Sequence, residues 1–157
     1  MTTSEKGRKF IKEFEVLELT SYQDQGGVWT IGYGTIRYPN VRQVKQGETI
    51  TEKEAEFYFV ADLRNFERVI NEKGLNLSQN QFDAVAAFVY NVGANAFSKS
   101  TLLKVLRADP DNNQAVEAQF KRWIFVRKNG KATVSKGLKN RRHHEIKIYK
   151  YSDYERK

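Results

Sequence analysis

Apolar positions at the start of the chain recur every three or four residues. Phe10, Ile11, Phe14 and Leu17 make one stripe, which predicts an amphipathic helix opened by Ser4 and ending near Val16 to Glu18. The period then shortens. Asp24-Gln25-Gly26-Gly27 is a turn-rich tetrad, and in the run from Val28 to Gly34 the large residues Trp29, Ile31 and Tyr33 alternate with small ones. That alternation predicts a β-hairpin. Tyr38-Pro39-Asn40 marks a second turn, with a short strand over 41–44 after it. Thr51 and Glu54 form a capping box, in which each side chain satisfies a backbone donor at a helix start. The helix they open carries Ala55, Phe59, Leu63, Phe66 and Ile70 on one stripe, and Gly74 suits its stop. Ser78 and Gln81 form another capping box, before a segment from Phe82 to Tyr90 that is apolar on several sides, as a buried central helix should be. Gly93 ends it. Shorter helices are expected over 100–107, 113–123 and 138–149, with loops at Asp109-Pro110 and Asn129-Gly130.

These elements predict an α+β chain forming one domain: an N-terminal helix over 1–19, a small antiparallel β lobe over 20–50, a long connecting helix over 51–74, and a larger helical lobe over 75–157. A cleft between two such lobes is a preferred ligand site. The chain has 157 residues, enough to bury a core without covalent staples. It has no cysteine, which excludes disulfides, a thiolate zinc site and a thiol nucleophile. Its two histidines are the adjacent His143 and His144, expected at the surface and without chemistry. No metal and no cofactor are expected; Asp109 and Asp111 around Pro110 read as a loop and cap, not a cation site. No apolar run reaches the length of a membrane span, and no signal peptide is visible at the start. Stable membrane insertion is therefore not expected.

The net charge of +8 is unevenly spread: from Lys121 onward there are 13 Lys and Arg against 3 Asp and Glu, and before it 14 against 16. Such a basic region attracts polyanions in a salt-sensitive way. An anionic bacterial wall and nucleic acid are both candidates, and a solvated helix face with a basic tail is the plain alternative. No zinc-finger or RNA-recognition motif accompanies the charge, so no nucleic acid is expected.

With cysteine absent and histidine scarce, carboxylates are the candidate catalysts. Glu15 stands at the end of the first helix, Asp24 in the hairpin turn, and Thr30 on the returning strand. Glycosidic cleavage needs one carboxylic acid to protonate the leaving oxygen and a second group across the sugar to manage water. Spacing alone is also satisfied by an ion-paired helix end and a turn-starting aspartate.

The stretch from Phe14 to Gly34 resembles the active-site segment of the phage-type lysozymes, the endolysins or muramidases of glycoside hydrolase family 24. Glu15, Asp24 and Thr30, followed by Ile31-Gly32-Tyr33-Gly34, reproduce that pattern. Further blocks follow in family order: Gln79 to Ala84 and Tyr90 to Gly93, then Phe97 to Leu103, Arg122-Trp123, and Gly137-Leu138 with Arg141, Arg142 and Glu145. The resemblance implies a lysozyme-like fold and an inverting hydrolase of bacterial peptidoglycan, which waits in the host cytoplasm and reaches the wall through a membrane pore. It implies that Glu15 is the general acid, Asp24 the partner carboxylate and Thr30 the holder of the hydrolytic water. It implies that Tyr90, Asn91 and Ser100 face the saccharide, and that Arg141 or Arg142 lies near Glu15. Gly32 would permit close approach of the strand to substrate or to neighbouring backbone. A monomer is expected, held on the anionic wall by its basic C-terminal region. Two departures stand out: Val16 follows the glutamate where the family has Gly, and Thr35 follows the Ile-Gly-x-Gly motif where it has His. They admit a catalytically weakened wall-binding relative. A basic nucleic-acid-binding domain is the other alternative.

Overall fold

The computed structural model describes residues 1–156. The element order is α1 (Glu5–Phe14), β1 (Glu18–Gln23), β2 (Trp29–Gly32), α2 (Glu52–Glu72), α3 (Gln79–Val92), α4 (Ala94–Ser98), α5 (Thr101–Ala108), α6 (Asn113–Phe120), β3 (Phe125–Lys128), β4 (Lys131–Val134) and α7 (Lys136–Tyr151). The chain is α+β, with seven helices and two two-stranded antiparallel sheets among the described residues. No helix among them is long and apolar enough to cross a membrane. Two compact units result, one from Lys9 to Asn65, the other from Met1–Arg8 with the chain from Phe66 onward. Their boundaries fall inside α1 and α2.

The unit over 9–65 is built on the first hairpin. Helix α1 ends at Phe14, a little before the expected stop, and the Glu15 amide closes its last turn on the Ile11 carbonyl at 3.0 Å. Strands β1 and β2 pair with Tyr22 opposite Thr30 and Gln23 opposite Trp29. The expected strand over 41–44 is reduced to isolated bridges: Ile31 with Thr35, Arg37 with Gln43, and Thr20 with Thr49. Ile31, Tyr38 and Val44 form the unit's small core, with Trp29, Ile50 and Tyr58 packed on it. Tyr33 meets Phe59 edge-on at 5.6 Å. Both tyrosines of this segment therefore pack instead of standing free. The Thr51–Glu54 capping box is present at the start of α2.

In the other unit α3 is the centre, buried from Gln81 to Tyr90. Its capping box on Ser78 and Gln81 is formed, and Gly93 ends it at φ 91°. Phe88 packs edge-on against Phe120 and Trp123. Asp83 ties the chain's start to this core, accepting from the Ser4 amide at 2.9 Å, from the Ser4 hydroxyl, and from the Tyr154 hydroxyl at 2.7 Å. Gly7 rides directly over that carboxylate, and a Cβ there would lie 2.8 Å from its Cγ. His144 is buried, contrary to expectation: it lies on the core side of α7, while His143 is exposed. The largest departure is at residues 125–134. The expected loop at Asn129-Gly130 is the turn of a second hairpin, β3–β4, in full register from Phe125–Val134 to Lys128–Lys131. Asn129 and Gly130 sit at φ 50° and 75°, the left-handed pair that a type I′ turn requires.

Candidate active site

Glu15 follows α1 directly and is half-buried. Asp24 is exposed and organises the turn between β1 and β2. Its Oδ1 accepts from the amides of Gly26 at 2.8 Å and Val28 at 2.9 Å, while its own amide and carbonyl bond Val28 and Gly27. The positive φ of Gly27, 78°, is what lets the turn close so tightly. Thr30 is 4% exposed, and its hydroxyl donates to the Val28 carbonyl at 2.9 Å. Because that proton is committed, the oxygen faces any further partner as an acceptor.

Tyr22 lies on β1, two residues before Asp24. It sits opposite Thr30 in the strand register, so the two side chains share one face of the hairpin. Its phenol is held above the ordinary tyrosine range, first by burial and then by the negative charges of Glu15, Glu18 and Asp24. Sequence reasoning passed over Tyr22; the available signal was its place two residues before Asp24 on the strand.

Gly32 has φ 65°, and a Cβ there would meet Ile50 Cδ1 at 3.3 Å and Ala55 at 3.5 Å. The close approach it permits is to neighbouring backbone and side chains of its own unit. Val16 is exposed, lies outside the helix and is not among the positive-φ residues, so the β-branched side chain meets no backbone conflict. Thr35 is fully buried and donates to Asp62 Oδ2 at 2.7 Å. Burial pushes Asp62 up to about 6, the Thr35 hydrogen bond opposing that rise.

The remaining expected substrate residues lie in the other unit, where each has a packing duty. Tyr90 is buried and stacks edge-on against Phe66 at 5.4 Å. Ser100 is 6% exposed and caps α5, accepting from the Leu103 amide and donating to the Phe97 carbonyl. Arg141 and Arg142 are buried around Glu145, at 3.1 and 2.7 Å. Arg141 also donates to the Ala87 carbonyl, and Arg142 to Asn91 Oδ1 at 2.6 Å. Among the described residues no group of acidic and histidine side chains could hold a metal.

A lysozyme-like α+β fold, with a glutamate at the first helix end and an aspartate and threonine on the hairpin, defines a glycoside hydrolase of the lysozyme class. The phage lysozyme family model matches residues 12–145, and the chain belongs to that family. An endolysin of Acyrthosiphon pisum secondary endosymbiont phage 1 is 37% identical over 150 residues, covering 95% of this chain and 98% of that protein. The structure is similar to the endolysin from Escherichia coli O157:H7 phage FAHEc1, with TM-score 0.88 and 41% identity over 99% of this chain and 97% of that one. It is also similar to the muramidase domain of SpmX from Asticaccaulis excentricus, with TM-score 0.80 and 29% identity over 94% and 97%.

Proposed function

We propose that the protein is an endolysin-type lysozyme that hydrolyses the β-1,4 bond between N-acetylmuramic acid and N-acetylglucosamine in bacterial peptidoglycan. The observation that carries the assignment of residues is the hairpin itself: Asp24 organises its turn, Thr30 lies on its returning strand, and Glu15 stands between the end of α1 and the hairpin's first strand. Glu15 delivers a proton to the glycosidic oxygen as that bond breaks. Water attacks the anomeric carbon from the other face. Its hydrogens are met by the Thr30 oxygen and by Asp24, which takes the proton released and leaves the product inverted. Asp24 Oδ1 is engaged by two turn amides, so the carboxylate is held in place for that task by the hairpin backbone. The exposed cations of the C-terminal region add salt-sensitive attraction to the anionic wall, and the enzyme acts as a monomer.

The test is the release of reducing ends from purified sacculi. Glu15→Gln is expected to keep the fold, read by circular dichroism and melting, and to lose on the order of 10² to 10⁴ in rate. Lysis by that variant at the wild-type rate would remove Glu15 from the mechanism. Mass spectrometry of fragments released in ¹⁸O-water identifies the bond, and proton NMR of the earliest products, before mutarotation, identifies the anomer.

A further inference from the structure

The β3–β4 hairpin is not used by the chemistry, and its two faces differ. Strand alternation and the observed register put Phe125, Arg127, Ala132 and Val134 on one face. Phe125 and Val134 are directly opposite each other and remain 53% and 50% exposed. The opposite face holds Val126, the one residue of the two strands that is half-buried, so the Phe125–Val134 face is the one turned to solvent. Arg127 is the cation of the Phe125–Val134 face, and Lys128 and Lys131 flank the Asn129-Gly130 tip on the other face. Between residues 121 and 140 there are seven Lys and Arg and no Asp or Glu.

At the hairpin's base lies a cavity of about 290 Å³, lined by Ile124 and Ile146 together with Lys121, Lys139, Arg142 and His143. Ile124 immediately precedes β3, and its carbonyl accepts from the Ser135 amide that closes the hairpin. Glu117, the one acid on the rim, is already engaged by Lys121 and by Lys150 at 2.7 Å. The surface is therefore cationic around an apolar pair and an apolar hollow.

We propose that this hairpin and the cavity at its base dock the protein on an anionic phospholipid surface. The charge selects a polyanion. The exposed Phe125–Val134 pair and the isoleucine-lined hollow select one with an apolar interior behind its headgroups, which a phosphate-bearing wall polymer does not offer. Lys and Arg meet the headgroups while the aromatic enters the interfacial layer. The docking is peripheral, and it does not depend on the glycosidase reading, because it is read without hydrolysis.

The experiment is co-sedimentation of the full chain with vesicles of phosphatidylglycerol and phosphatidylcholine, against phosphatidylcholine alone. Wild type is expected to bind the anionic vesicles only, with binding weakened by salt. Phe125→Ser with Val134→Thr should lose about tenfold with sacculus lysis unchanged, and Arg127→Ala, which removes the cation of the same face, roughly fivefold. Phe125→Trp provides an independent reading that leaves the apolar surface intact: its emission should shift to the blue and be quenched by brominated acyl chains. Absence of binding to anionic vesicles, or equal binding by the Ser/Thr variant, would overturn the proposal. So would hairpin substitutions that weaken adsorption to sacculi and leave vesicle binding untouched, which would assign the hairpin to the wall.

Discussion

Single side chains in the first hairpin serve shape and chemistry at once, and the two can be separated by substitution. Asp24 accepts two turn amides through Oδ1. Asn keeps that acceptor and removes the charge; Ala removes both. Asp24→Asn is therefore expected to melt within a degree or two of wild type yet lose at least about tenfold in lysis rate. Asp24→Ala should lose the same activity and about 2 kcal/mol of stability, the usual net value of two such hydrogen bonds. Paired melting and reducing-end assays check this, and an Asn variant as active as wild type would leave Asp24 as a turn residue only. The three candidate catalytic positions were legible in the sequence because motif spacing is a property of the chain. Tyr22 was not, because its value comes from standing opposite Thr30, and register is decided by pairing that irregular strand spacing conceals: the β1–β2 ladder shifts between Glu18 and Tyr22.

Elements whose ends carry strong local signals were legible to within a few residues. Both capping boxes and the Gly93 stop formed as expected, since each satisfies backbone donors or a positive φ with neighbouring residues alone. The β3–β4 hairpin was missed although Asn-Gly is a strong turn signal, because its flanking strands are only four residues long, too short for alternation to stand out. Ser100, expected from the family motif to face the saccharide, has a structural duty as well: its hydroxyl caps α5. Ser100→Ala should thus cost about 1 kcal/mol of stability while leaving the Michaelis constant for solubilised glycan within twofold. Denaturant unfolding and steady-state kinetics separate the two roles. A large rise in that constant without destabilisation would restore the sugar contact. Helix α7 holds a deeper structural charge: Glu145 is fully buried between Arg141 and Arg142. Removing one partner of such a cluster leaves uncompensated charge, so Glu145→Ala is expected to cost about 3–5 kcal/mol in unfolding free energy.

Across the whole molecule, stability must depend on pH in a way that Thr35 sets. A cation at that position would favour the charged form of Asp62, but the structure supplies a neutral hydroxyl to a carboxylate that is largely buried. The folded-state value of about 6 lies above the ordinary 3.8, so the native state holds its proton more tightly than the unfolded chain does. Asp62 is thus harmless below about pH 4, and its cost grows as pH rises through 6, reaching about 2–3 kcal/mol by pH 8. Other groups act in the opposite sense. Glu48 is drawn down to about 2, first by the Tyr38 hydroxyl and then by Arg42, and its stabilisation fades as pH falls from about 4.5 through 2. His144, depressed by burial and by the nearby His143, Lys147 and Arg156 charges, also disfavours the fold as pH falls below its ordinary range. Raw pH–stability curves therefore mix opposing limbs. The difference between Asp62→Asn and wild type cancels every group but one: the Asn variant should gain nothing at pH 4 and increase its advantage through pH 6, to about 2–3 kcal/mol at pH 8 by urea unfolding. An advantage independent of pH would mean that the carboxylate is neutral or well solvated throughout.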